Sequence, residues 1–147
     1  MSYTIHLSVR NSTSDTVTVV EKGCWYYANG GTWTEQDGQH VLFMGGSGTS
    51  GMLRLKSSCG DIFTVVVGIH NYRPWCDVQV NLKDDDTAVK MLPEYYNGGR
   101  LSGQDHGGLL NVVTGHGRAV GLVFEKTDGH EVTAALLYDV EQDRRVY

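Results

Sequence analysis

Proline is nearly missing from this chain, with two residues among 147, against nineteen glycines. Many tight glycine turns between short strands suit that balance. Cysteine is scarce as well: Cys24, Cys59 and Cys76 are an odd number at unrelated spacings, which excludes a disulfide framework and leaves reduced thiols as the expectation. No apolar run approaches the roughly 20 residues that a membrane-spanning helix needs. Positive charge is thin, since the twelve Lys and Arg are scattered and the net charge is −5. Without a basic stripe to neutralise phosphates, nucleic acid is a poor partner. The N-terminus MSYTIHLSVR lacks the apolar core of a signal peptide and alternates from its start, so cytoplasmic synthesis and residence are expected. What remains is ordinary for a folded domain: 40% hydrophobic and 20% charged residues. The sequence predicts one domain over 1–140 and a charged, solvated tail over 141–147.

Strand patterns dominate. Tyr3, Ile5, Leu7 and Val9 alternate with Thr4, His6, Ser8 and Arg10, the period of a half-buried strand. The polar run Asn11–Asp15 predicts a hairpin-like return into a strand over Thr16–Glu21. His40–Met44 and Met52–Leu55 read as strands flanking a glycine loop. Ile62–Gly68 is almost wholly apolar and β-branched, so it is expected as a central strand covered on both faces. Further strands are predicted at Asp77–Asn81, Ala119–Lys126 and Val132–Tyr138, the last two joined by a turn at Thr127–His130. Asp84–Asp86 followed by TAVKML predicts a short helix with an acidic start, stopped by Pro93 and packed at the edge of the fold. The sum is an all-β protein with one or two short helices, built as a two-sheet antiparallel β-sandwich.

Between the strands lie three unusual blocks. YYANGGTW (Tyr26–Trp33) and HVLFMGGSGTSG (His40–Gly51) set glycines, small hydroxyls and an amide among aromatics. HNYRPWCD (His70–Asp77) adds another amide and more rings. Such turns can offer polar groups to a hydroxylated ligand. GGSGTSG by itself is equally a flexible turn, and it lacks the lysine of a phosphate-binding loop. Asn71 and His70 can equally bond turn backbone at a strand end, and Trp33 and Trp75 suit core positions. The histidines His106, His116 and His130 lie at long, irregular separations with no paired spacing, so no metal site and no cofactor is expected. Catalysis has little to stand on. Cys76 sits in a strand beside Trp75 and should be buried and inert, and Asp77 with Glu94 stays open as an acid pair.

YANGGTW, MGGSGTSG and HNYRPWCD, in this order and near these spacings, resemble the fungal fruit-body lectin family of the Agaricus bisporus type. The likeness runs from Ser2 to about Tyr138, with EYYNGG (Glu94–Gly99) as a further match, and is weakest at Asn11–Gly23 and after Arg100. It implies an actinoporin-like β-sandwich that binds glycans, has no enzymatic activity and forms a homo-oligomer, a dimer or tetramer. It also implies two sugar sites. For the disaccharide Galβ1-3GalNAc, the core 1 unit of mucin-type O-glycans, the matching residues are Ala28, Ser47, Gly48, His70, Asn71 and Tyr72. Ser47 and Asn71 can pair with sugar hydroxyls in either sense, Gly48 can bring a bare peptide N–H close, and Tyr72 can cover an apolar sugar face. For terminal N-acetylglucosamine, Asp77, Val78 and Arg100 match, but Val80 and Leu110 stand where the family has Thr and Tyr. Two hydrogen-bonding partners are thereby lost, so that second site is expected to be weak or absent. The expected partners are glycoproteins carrying core 1 O-glycans, with a defence role by analogy. A rival expectation is a membrane-active pore-forming protein of the same fold, which would need an amphipathic N-terminal helix that the period-two alternation does not provide.

Overall fold

The computed structural model describes residues 2–25, 30–104, 107 and 109–141. Ala28, His106 and the tail from 142 onward lie outside the described residues. Among the described residues ten strands run in order: β1 (Tyr3–Asn11), β2 (Val17–Cys24), β3 (Gly31–Gln36), β4 (Gln39–Met44), β5 (Ser50–Ser57), β6 (Ile62–His70), β7 (Arg73–Gln79), β8 (Leu109–Val113), β9 (Arg118–Lys126) and β10 (Glu131–Val140). A six-stranded sheet has the order β3-β4-β1-β10-β9-β8, and a four-stranded sheet the order β2-β5-β6-β7. All pairings are antiparallel except β1 with β10, which run parallel with Ile5 opposite Val132. The larger sheet is therefore mixed. The predicted sandwich stands, with that parallel pair as its departure from a purely antiparallel plan.

The core lies between the sheets. Ile5, Leu7, Leu42, Leu122 and Leu136 from one sheet meet Leu53, Leu55, Phe63, Val65, Val67 and Ile69 from the other, all buried. Alternation explains which residues enter it. In β6 the odd-numbered side chains point inward while Val66 points to the opposite face, into a second cluster with Met52, Trp75, Ala88, Met91 and Leu92. The expectation of a strand covered on both faces holds, because a short helix closes the outer side.

Helix α1 spans Ala88–Met91 and runs into a 3₁₀ turn over Leu92–Tyr95. The α-helix ends at Met91, ahead of Pro93 as expected, and Pro93 opens the tighter turn, where its missing N–H costs nothing. Two details depart from expectation. The first turn contains no acidic residue; instead the Glu21 carboxylate accepts from the Ala88 and Val89 amides at 2.8 and 3.2 Å. The helix covers the outer face of the four-stranded sheet and not its edge. The predicted return of Thr16–Glu21 beside the first strand is also corrected, since β1 and β2 belong to opposite sheets. Strands β3 and β8 had no counterpart among the expected elements; both are edge strands.

Candidate functional site

The glycine loop between β4 and β5 and the turn between β6 and β7 meet at one end of the sandwich. His70 pairs with Arg73, so Asn71 and Tyr72 are the two central residues of a tight hairpin. Both have left-handed backbones, with φ of 49° and 64°, the signature of a type I′ turn. Asparagine tolerates this conformation; tyrosine rarely adopts it. The turn is braced from the glycine loop: Ser47 Oγ accepts the Tyr72 N–H at 3.0 Å. Two backbone bonds complete the seam, from Gly48 N–H to the Ile69 carbonyl at 2.7 Å and from Ile69 N–H to the Thr49 carbonyl at 3.0 Å.

Gly48, at φ 93°, is where the loop must turn. Its amide, expected to be bare for a ligand, is already given to Ile69. What faces solvent is the Asn71 carboxamide, the His70 ring 3.3 Å from it, the Ser47 hydroxyl and the Tyr72 ring, which is 76% exposed. Gly68, beneath the turn, allows the close approach, since a Cβ there would lie 2.6 Å from Ser50 Cβ and 2.8 Å from the Thr49 carbonyl. Trp25 and Gly30, the described residues that flank 26–29, are bonded at the same end. Trp25 N–H bonds the Ser50 carbonyl at 2.8 Å, and Gly45 N–H bonds the Gly30 carbonyl at 3.2 Å.

Of the five residues of the second expected site, Asp77 and Val78 lie on opposite faces of β7, Val80 just beyond it, Leu110 on β8 and Arg100 in the segment between them. Val78 is buried in the inter-sheet core, and Val80 and Leu110 pack against that core. Asp77 points the other way, is 2% exposed, and accepts from the Tyr95 hydroxyl at 2.6 Å and the Gln79 amide at 2.8 Å. Burial, together with the Asp77 charge, pushes the Tyr95 hydroxyl far above its ordinary pKa, and Arg100 acts in the opposite sense. Arg100 is exposed, with its backbone N–H on the Glu94 carboxylate at 2.9 Å. Glu94 is thus engaged with backbone, and Asp77 is held by Tyr95 and Gln79. Cys76 is buried, and burial followed by the Asp77 charge pushes its thiol up to about 12, far from a reactive thiolate.

One constellation escaped sequence reasoning. At the opposite end of the sandwich, Cys59, Asp61 and His116 bring their ligand-type atoms within 4.8 Å of one another. Histidine spacing gave no hint of it, because His116 reaches Asp61 across 55 positions.

Comparisons with known proteins follow the same geometry. A family model described as fungal fruit body lectin matches residues 1–136. The Boletus edulis lectin is 52% identical over 101 residues, 67% of this chain and 71% of that protein. Crystal structures of the Xerocomus chrysenteron lectin superpose with a TM-score of 0.91. The wild type is 40% identical, covering 95% of this chain and 100% of that one. A methionine-substituted form is 42% identical, covering 95% and 99%.

Proposed function

Since this chain belongs to the fungal fruit body lectin family, and is a carbohydrate-binding protein without enzymatic activity, we propose that the braced loop end binds the disaccharide Galβ1-3GalNAc. The observation that carries this reading is Tyr72. A bulky aromatic held at positive φ and exposed to solvent contributes nothing to the core, and strained backbone of this kind concentrates at ligand sites. Its ring offers a flat apolar surface for the C–H face of a sugar. Asn71 supplies both donors and an acceptor, and the Ser47 hydroxyl, already accepting from Tyr72, retains its proton to donate. An epimer whose hydroxyl points elsewhere leaves one of these groups unpaired, which is the source of selectivity. Ala28 completes the matched set through its small size.

Sugar contacts replace water contacts, so each single site is weak and useful strength comes from several sites on one particle. We therefore infer a homo-oligomer acting on surfaces dense in core 1 O-glycans. A cytoplasmic store serving defence fits that picture. The terminal N-acetylglucosamine site is weak or lost, because Val80 and Leu110 offer no hydrogen bonds. A glycan array and calorimetry on wild type and Asn71→Ala test the whole reading. The expected result is core 1 disaccharide binding that the variant loses, with little N-acetylglucosamine signal in either. Full binding by Asn71→Ala, or a dominant N-acetylglucosamine response, overturns it. The pore-forming rival demands a releasable N-terminal helix. Tyr3–Asn11 is instead a strand bonded on both sides, to β4 and β10, and no leakage from sugar-free liposomes is expected.

A further inference from the structure

Two hairpin tips face each other at the end of the sandwich remote from the glycine loop. One is the β5–β6 turn, closed by Ser57 N–H to the Asp61 carbonyl at 2.9 Å and Gly60 N–H to the Ser57 carbonyl at 3.0 Å. The other is the β8–β9 turn, closed by Thr114 N–H to the Arg118 carbonyl at 2.7 Å and Gly117 N–H to the Thr114 carbonyl at 3.1 Å. Between them His116 Nδ1 lies 2.7 Å from Asp61 Oδ1, and the Cys59 thiol donates to Asp61 Oδ2 at 3.5 Å. Gly60 makes the turn at φ 105° and lies beneath the His116 ring.

From this geometry we propose that Cys59 Sγ, Asp61 Oδ1 and His116 Nδ1 form a binding site for a divalent transition metal of the zinc class. Ligand atoms around a tetrahedral ion stand roughly 3–4 Å apart, so a slight opening of the 2.7 Å His116–Asp61 contact brings this cluster into that range. The donor set of one thiolate, one imidazole and one carboxylate suits a borderline-soft ion and not calcium or magnesium. The carboxylate is aimed from behind: Asp61 is 3% exposed, and its other oxygen, Oδ2, accepts from Thr114 Oγ1 at 2.8 Å and the buried Tyr138 hydroxyl at 3.1 Å. Outer hydrogen bonds of this kind fix a ligand's direction before any ion arrives. His116, with its side chain 55% exposed, gives an entry path from solvent and leaves a fourth position to water. Arg118, next to this turn, is paired to Asp15 at 2.6 Å, which offsets its repulsion of an incoming cation. On binding, the metal displaces the Cys59 thiol proton to solvent and the Nδ1 proton that His116 shares with Asp61; the ring regains a proton at Nε2 from solvent, so a neutral imidazole ligates through Nδ1 and one proton is released in all. Thiolate and carboxylate then balance the two positive charges. The site lies along β5 and β6 from the sugar-binding end, roughly 25 Å away by strand rise, so the two act independently.

The test is a Co²⁺ titration of reduced, chelator-stripped protein, followed by Zn²⁺ displacement. Expected is one equivalent of Co²⁺ giving a thiolate charge-transfer band that Zn²⁺ bleaches. The band should vanish in Cys59→Ser, weaken about ten-fold or more in affinity in His116→Gln, and persist unchanged in Asn71→Ala. Zn²⁺ should also raise the thermal midpoint of the wild type but not of Cys59→Ser. Absence of the band, its survival in Cys59→Ser, or equal affinity in His116→Gln refutes the site.

Discussion

Tyr72 shows how much a single residue's backbone angle can say. A glycine would occupy φ 64° without strain, and Asn-Gly is the preferred pair for such a turn. Tyr72→Gly should therefore stabilise the protein by up to about 1 kcal/mol, after allowing for the greater freedom of glycine in the unfolded chain. The same change should weaken disaccharide binding. Denaturant unfolding and calorimetry on one variant check both halves, and a stabilised variant with undiminished binding would remove Tyr72 from the site. Gly68→Ala should act in the opposite way. Its Cβ would meet the Ser50 side chain, Trp75 and the Thr49 carbonyl within 2.8 Å. Overpacking there should cost about 1–3 kcal/mol and loosen the seam between the loops. Accelerated exchange of the Gly48 and Ile69 amides would report it.

At the scale of elements, helix α1 depends on an irregularity in another strand. Val17 and Val19 of β2 pack against the inter-sheet core, so regular alternation would send Glu21 inward too. The register instead shifts between Val19 and Glu21, setting Glu21 opposite Arg54 on the outer face. A bulge of this kind re-aims every later side chain. Glu21 thereby reaches the first amides of the helix, a position where an acceptor carboxylate is most favourable. Glu21→Ala should cost about 1 kcal/mol. Amide exchange should quicken at Ala88 and Val89 while the centre of β6 stays protected. A uniform loss of protection across both elements would mean that the helix is not a separate unit of stability.

Across the whole molecule, the end opposite the proposed sugar site is tied by two hydrogen-bonded acids, Asp15 and the buried Asp61. Asp15 accepts from Arg118 at 2.6 and 3.2 Å, and that hydrogen bond holds its pKa down to about 2 against the opposing effect of burial. Burial also works against the Asp61 charge, but hydrogen bonds from His116, Thr114 and Tyr138 prevail and its pKa is lowered. Both folded-state values lie below those of the unfolded chain, so the stability they contribute is complete above about pH 4. It is lost as pH falls towards the folded value, about 2 for Asp15. Wild-type thermal midpoints should fall steeply across that window. Arg118→Gln should start lower at neutral pH, fall less, and converge with wild type near the acid end. A gap between the two curves that does not change with pH would contradict the linkage.

Much of this was legible in residue order. Alternation at Tyr3–Val9 and the apolar run Ile62–Gly68 fixed a half-buried and a doubly covered strand, because strand geometry sends neighbours to opposite faces by local sterics alone. The MGGSGTSG and HNYRPWCD blocks likewise marked two loops that meet at one end. Other features depend on partners far away in sequence and leave no local period to read. Strand β1 pairs in parallel with β10. The Glu21 cap serves a helix 67 positions later, and Asp61 joins His116. The Gly48 amide is the sharpest case: its sequence says only that a backbone can come close, while the folded seam decides that the Ile69 carbonyl, and not a sugar, takes it.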